Sequence, residues 1–262
     1  MTLTTEHFAS FERTCLAVHA VGEGPPVILL HGLFSSAQMN WIKWGHGDRL
    51  AAAGFRAIML DFRAHGESAA PHDPAAYPTG VLVRDVAALA EHFALAPGAF
   101  DLVGFSLGAR TAVHAVASGV LEPRRLAVCG MGVEGLAGWS RRADHFKRVI
   151  DEFDTIKPGD PAYTARTFLK SQGTDRVAAR LLLDAMGNFD LAALAAIAMP
   201  TAVICGADDR DNGSAEELAA LIPGARYIEV PGGHLNSVTF PELGEAVASF
   251  LAESGDGRAA QP

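Results

Sequence analysis

The chain alternates short apolar runs with longer stretches of helical periodicity. Pro26-Val27-Ile28-Leu29-Leu30-His31, bounded by Gly24-Pro25 and Gly32, reads as a buried strand. Phe55 to Asp61, Phe100 to Phe105, Leu126 to Gly130, Thr201 to Gly206 and Tyr227 to Val230 carry the same signature. Runs that stay apolar without alternating require cover on both faces, which helices supply when the strands are parallel. Thr14 to Val21 is expected to add an antiparallel strand at one edge. Between the strands, Val83 to Phe93 places Val83, Val86, Ala87, Leu89, Ala90 and Phe93 largely on one helical face. Ala109, Ala112, Val113 and Val116 repeat at helical spacing before Gly119. Ala215 to Leu221 starts after the cap candidates Asn212 and Ser214 and stops at Pro223, and Pro241-Glu242 opens a last helix to about Leu251. The predicted class is α/β, a mostly parallel sheet covered by helices on both faces.

One region breaks the rhythm. From Gly132 to Ala195 the pattern predicts no strand, only amphipathic helices over Ser140 to Phe153, Ala162 to Ser171 and Asp175 to Met186. An insertion of about 60 residues between two strands is expected to form a helical cap over one edge of the sheet. Residues 1–131 and 196–262 would then form the core domain and 132–195 the cap. The apolar cap residues Trp139, Phe146, Val149, Ile150, Phe153, Phe168 and Leu169 could face either the pocket or the core, and packing of the cap onto the body is favoured for each. The tail from Ser254 to Pro262 is small and polar and is expected to fray.

Composition narrows the partners. Hydrophobic residues make up 49% and charged residues 19%, as in a globular rather than a disordered chain. Lys and Arg total 21 against 30 Asp and Glu, a net charge of −9 with His neutral. With no basic stripe, that balance argues against nucleic-acid binding, which needs clustered cations. Met1 to Phe11 has no positive segment followed by an apolar run, and no stretch reaches the roughly 18 apolar residues of a membrane span. The expected setting is cytoplasmic, with a small-molecule substrate, no membrane partner, and self-association left open. Cys15, Cys129 and Cys205 are far apart and lie in apolar runs, so they are expected to be reduced and buried.

Gly104-Phe105-Ser106-Leu107-Gly108 is the strongest chemical signal. It follows a predicted strand and opens a helical pattern, the setting in which Gly-x-Ser-x-Gly exposes a nucleophilic serine on a strained turn. A serine hydroxyl needs a base. Of ten histidines, His7, His72, His92 and His145 read as surface or satisfied groups, whereas His234 follows Gly232-Gly233 in the loop after the last predicted strand. That loop leaves the sheet at the same edge as Ser106. The base needs a carboxylate to fix its tautomer. Asp209, three residues after Gly206, is favoured, with Asp208 close behind and Glu134 a third choice. Backbone donors for a developing oxyanion are expected from Leu107 N–H at the helix start and Leu33 N–H in the loop after the strand 27–30. His31 is expected to hold that loop rather than act as a base. Phe34, Phe105 and Leu235 adjoin these positions and are expected to form apolar pocket wall.

With these residues in view the chain resembles the α/β-hydrolase-fold serine hydrolases, carboxylesterase-like and with a helical cap, over essentially its whole length. His31-Gly32-Leu33, Asp61-Phe62-Arg63-Ala64-His65-Gly66-Glu67-Ser68, Gly104-Phe105-Ser106-Leu107-Gly108, Gly206-Ala207-Asp208-Asp209 and Gly233-His234 carry the likeness. The order Ser106, Asp209, His234 is that of the family. Ala64 departs from it, standing where a second glycine is usual, and a local backbone difference is expected there. The resemblance implies ester hydrolysis through an acyl-enzyme, with carbon–carbon bond hydrolysis of a diketone-like ring-cleavage product or lactone hydrolysis as alternatives. Serine at the nucleophile position, where those enzymes carry aspartate, argues against epoxide hydrolase or haloalkane dehalogenase chemistry. No cofactor or metal is implied. A ligand-binding protein on the same fold is the non-enzymatic alternative.

Charge is unevenly distributed between the two parts. Gly132 to Ala195 holds nine Lys and Arg against nine Asp and Glu, so the whole excess of −9 belongs to the predicted core domain. Such a body does not attract anions at long range, which favours a neutral ester or ketone, although a local Arg in the balanced cap could hold one carboxylate.

Overall fold

A computed structural model of the chain describes residues 2–253. The tail expected to fray, Ser254 to Pro262, lies outside the described residues. Eight strands form one sheet: β1 (Thr4–Ala9), β2 (Cys15–Val21), β3 (Pro26–Leu30), β4 (Arg56–Leu60), β5 (Asp101–Phe105), β6 (Leu126–Cys129), β7 (Thr201–Gly206) and β8 (Arg226–Val230), in the order β1-β2-β4-β3-β5-β6-β7-β8. Pairing is antiparallel for β1 with β2 and for β2 with β4, and parallel from β4 through β8. Among the described residues nine α-helices accompany them: α1 (His46–Ala52), α2 (Val81–His92), α3 (Leu107–Ala117), α4 (Val133–Ala137), α5 (Trp139–Asp151), α6 (Tyr163–Gln172), α7 (Arg176–Asp184), α8 (Ala215–Leu221) and α9 (Pro241–Ala252).

The strand period of two divides the core cleanly. Ile28, Leu30, Ile58, Leu60, Leu102, Val128 and Val203 face a layer that includes α2, α3 and α8. Val27, Leu29, Ala57, Met59, Val103, Ala127 and Ile204 face the opposite layer, with Leu50 of α1 and Val247 and Phe250 of α9. The segment between β6 and β7 holds α4 to α7 and a single-turn helix (Leu191–Ala196). It has an apolar cluster of its own, in which Val149, Ile150, Leu169 and Leu183 surround Phe34 from the loop after β3.

Several expectations need correction. β1 has no apolar run to announce it, since five of its six residues are exposed. β8 was expected to be covered on both faces, but it lies at the sheet edge and only Val230 is buried. Cys15 is exposed, whereas Cys129 and Cys205 are buried. The cap of α8 is Ser214, whose Oγ accepts from Glu217 N–H at 3.1 Å. Asn212 instead donates from Nδ2 to Gly130 O at 2.8 Å. Ala64 has φ +66, the left-handed region. The residue therefore takes up the conformation a glycine would favour, and strain replaces the backbone change expected there.

The tightest packing lies where β5 turns into α3. A Cβ on Gly104 would stand 2.3 Å from the backbone of Gly108, and one on Gly108 would stand 2.1 Å from the carbonyl oxygen of Leu30 in β3. Both neighbours are backbone and cannot rotate away. Gly108→Ala should therefore cost at least about 2 kcal/mol in urea unfolding, at the severe end of overpacking. The exposed Gly187 has nothing within 4 Å of the same added methyl, and Gly187→Ala should stay within about 1 kcal/mol. Equal stabilities for the two variants would refute this account of the turn.

Candidate active site

Ser106 joins β5 to α3 with φ +52 and ψ −111. No ordinary strand or helix residue occupies that region, and a non-glycine there is strained. The turn is held because Ser106 N–H donates to Cys129 O at 2.9 Å. The hydroxyl is left facing the carboxyl edge of the sheet, where loops from β3, β7 and β8 converge.

His234 reaches it from the loop after β8. Gly232, at φ +93, turns the chain, and a Cβ on Gly206 would stand 2.1 Å from Gly232 O, so the loops after β7 and β8 meet backbone to backbone. His234 Nε2 lies 3.0 Å from Ser106 Oγ, and Nδ1 lies 2.8 Å from Asp209 Oδ2. Phe105 stacks on the imidazole with ring centroids 5.4 Å apart. Asp209 is buried, and burial alone would raise its pKa. Hydrogen bonding to His234, the Asp211 N–H and the Cys205 thiol outweigh that and hold it below the ordinary carboxylate range. Asp209 therefore stays ionised and can accept Nδ1–H, which leaves Nε2 free to accept a proton. Asp208 is exposed, and Glu134 is exposed and sits 3.7 Å from Arg141. The structure brings neither to His234.

Leu33 N–H and Leu107 N–H have no hydrogen-bond partner among the described residues. Leu107 opens α3, where the first N–H groups have no partner within the helix. The Leu33 loop is fixed by side chains on both sides of it. Gly32 N–H donates to Asn40 Oδ1 (3.0 Å), Phe34 N–H to His65 Nε2 (3.0 Å) and Ala37 N–H to Asp61 Oδ1 (2.7 Å). Phe34 itself sits at φ +57. His31 Nδ1–H donates to Gly32 O at 2.7 Å, and its Nε2 accepts from Phe62 N–H at 3.0 Å. Both of its nitrogens are thus engaged in holding loops, away from Ser106. Arg63 anchors the 61–68 loop from beneath through a fully buried pair with Asp85, Nη2 to Oδ1 at 2.7 Å and Nε to Oδ2 at 3.0 Å.

Asp61 is the charged member of this network. Burial would raise its pKa, but hydrogen bonds from His19, Glu67 N–H and Ala37 N–H, with the field of His31, hold it below the ordinary value. Burial and the adjacent His31 push His65 down to about 3.

A cavity of about 880 Å³ opens over Ser106 and His234. Phe34, Phe105 and Leu235 line it, as do Leu33, Met39, Met131 and Phe168. Trp139, Phe146 and Phe168, for which packing is favoured over a pocket role in the sequence, form part of this wall. Arg110, Arg142 and His145 also line it, and none of these was singled out in sequence as a pocket residue. Arg110 falls one helical turn after Ser106, a spacing that could have revealed it. Among the described residues no three His, Cys, Asp or Glu side chains are grouped as a metal ion would need, and no helix is long and apolar enough to cross a membrane.

Comparison with known proteins identifies the family. Residues 27–249 match the model of the alpha/beta hydrolase family. The chain belongs to that family. It is similar over nearly its full length to the solved enol-lactonase of Burkholderia xenovorans LB400, at 25% identity and a TM-score of 0.74, covering 95% of this chain and 100% of that one. A curated pyrrolizixenacetamide deacetylase of Xenorhabdus hominickii is 26% identical over 248 residues, 84% of this chain and 88% of that one. An epoxide hydrolase of Caballeronia sordidicola is 34% identical over 119 residues, 45% of this chain. The matches to curated epoxide hydrolases span only 14% to 36% of those proteins' lengths.

The neutrality of His65 has a consequence for stability. In the unfolded chain an imidazole takes up its proton near pH 6.5. Between about pH 6.5 and about pH 3 the unfolded state therefore binds a proton that folded His65 does not, so stability falls as the solution is acidified through that window. His65→Gln should flatten the decline by up to one proton, on the order of 1.4 kcal/mol per pH unit. Urea unfolding followed from pH 6.5 to 4.5 measures it, and an unchanged slope would assign the acid sensitivity to other groups.

Proposed function

We propose that the protein is a serine hydrolase that cleaves a small, mostly apolar carboxylic ester through an acyl-enzyme. The observation that carries this is the unbroken line from Ser106 Oγ to His234 (3.0 Å) and from His234 to the buried Asp209 (2.8 Å). In this reading His234 Nε2 takes the Ser106 proton as Oγ attacks the ester carbonyl. Leu33 N–H and Leu107 N–H receive the oxyanion. His234 then returns the proton to the leaving alcohol, and the same imidazole activates the water that releases the acid. Asp209 keeps Nδ1 protonated and stabilises the imidazolium throughout.

The mostly apolar wall fits an apolar acyl group better than a sugar. A small molecule in the cytoplasm is the substrate setting that the acidic, stripe-free chain suggests. Lactone hydrolysis is the second reading, favoured by the full-length likeness to the enol-lactonase. It uses the same steps, with the leaving alcohol remaining tethered to the acyl group.

Ser106→Ala should fold and lose hydrolysis of a simple aryl ester by about 10³-fold or more, and Asp209→Asn should lose about as much by favouring the wrong tautomer. A fluorophosphonate probe should label Ser106 in the wild type. Near-normal turnover by Ser106→Ala, or a wild type that takes up no probe, would rule the mechanism out. A panel of esters, lactones and diketones then ranks the acyl chemistries.

A further inference from the structure

The cavity wall is mostly apolar, yet Arg110, Arg141 and Arg142 line it against a single acidic residue, Asp211. Arg110 is 2% exposed and spends its donors on backbone, with Nη1 bound to Gly135 O (3.0 Å) and Leu136 O (2.8 Å) and Nη2 bound to Gly187 O. Arg142 is half-buried on α5. Its Nη1 donates to the backbone carbonyl of Asp211, and among the described residues no carboxylate lies within 4.0 Å of it. The neighbouring Arg141 differs, being largely exposed and 3.7 Å from Glu134.

The carboxylates that act on Arg142 from a distance are Asp211, Asp209 and Glu134. Asp209 is engaged with His234 and Glu134 sits beside Arg141. Burial depresses the affinity of both Arg110 and Arg142 for their protons, and Arg142 adds its repulsion to Arg110. Both guanidinium groups nevertheless keep their charge at neutral pH. A buried cation without a bonded anion is costly. Arg142 lines the same cavity as Ser106, and a guanidinium fork matches a carboxylate bidentately.

We propose that Arg142 anchors a carboxylate of the substrate, so that the enzyme takes esters carrying a free carboxylate within reach of the scissile carbonyl. Arg110, its donors committed to backbone carbonyls, contributes its field rather than a hydrogen bond to the ligand. The proposal rests on the ester-hydrolase reading above. It replaces the neutral substrate suggested by the overall charge distribution with an otherwise apolar one bearing a single anionic end.

Two ester pairs test it, each comparing a carboxylate with an uncharged analogue. On the acyl side the pair is the mono-4-nitrophenyl ester of glutaric acid and 4-nitrophenyl pentanoate. On the alcohol side it is 4-acetoxybutyrate and butyl acetate, followed by titration of released acid. In at least one pair the wild type should favour the anionic ester by about 10-fold or more in kcat/KM, and Arg142→Met should lower that ratio about 30-fold. Arg142→Lys should recover part of it through charge alone. The pair that responds identifies the side of the ester that carries the carboxylate. A ratio unchanged by Arg142→Met, with both esters falling together, would overturn the proposal and leave Arg142 as a tether of the Asp211 loop.

Should no ester be cleaved, the hydrolase reading fails on its own, and calorimetry still decides the anchor. Ser106→Ala should bind glutarate at least about 10-fold more tightly than Ser106→Ala combined with Arg142→Met does. Equal affinity in the two proteins would overturn the proposal.

Discussion

Helix α3 runs so close to the sheet that its Gly108 leaves no room for a side chain against the Leu30 carbonyl. That close approach sets the rest of the site. Because α3 must start where β5 ends, the single residue between them is forced to φ +52, and this residue is Ser106. The strain is carried by the packing of strands β3, β5 and β6, which are buried throughout or nearly so. Ser106 is thus positioned by three buried central strands, and the loops after β7 and β8 bring His234 and Asp209 to it.

The loop after β3 is rigid for another reason. It has few backbone partners of its own, so Asn40, His65 and Asp61 supply them. A protonated His65 could not accept from Phe34 N–H, so the loop geometry requires a neutral imidazole. The surroundings enforce that state by burying His65 beside His31. Asp61, by contrast, is kept charged by hydrogen bonds from His19, Glu67 N–H and Ala37 N–H. One buried anion and two buried neutral histidines give the loop opposite kinds of support, an acceptor for its N–H groups and an acceptor that cannot become a donor.

Much of this was legible in the sequence, for reasons that differ by residue. Ser106, Asp209 and His234 stand in tight Gly-containing turns after apolar strands, and such turns can be read because few sequences allow them. His31 was readable as a holder of its loop from its place at the strand end. β1 was not readable, since an exposed edge strand needs neither an apolar run nor alternation. The cover over β8 was overread, because half-apolar runs look alike at an edge and in the centre. Arg110 and Arg142 escaped notice because the pocket brings together α3 and α5, which are far apart in sequence, and no local pattern records which helical face will meet another. For the same reason the sequence leaves open whether Trp139 and Phe146 face the pocket or the core.

Phe34 belongs to two structures at once. Its side chain is buried in the cluster formed by α5, α6 and α7, and its N–H is tied to His65 in the loop that presents Leu33. Swinging those helices away would expose a full aromatic side chain, at a cost of roughly 2 to 3 kcal/mol, and would pull on the residue next to Leu33 as it did so. The position of those helices and the geometry of the Leu33 loop are therefore coupled through this one residue. One phenylalanine thus ties the packing of the helices above the cavity to the backbone geometry of the loop beside Ser106.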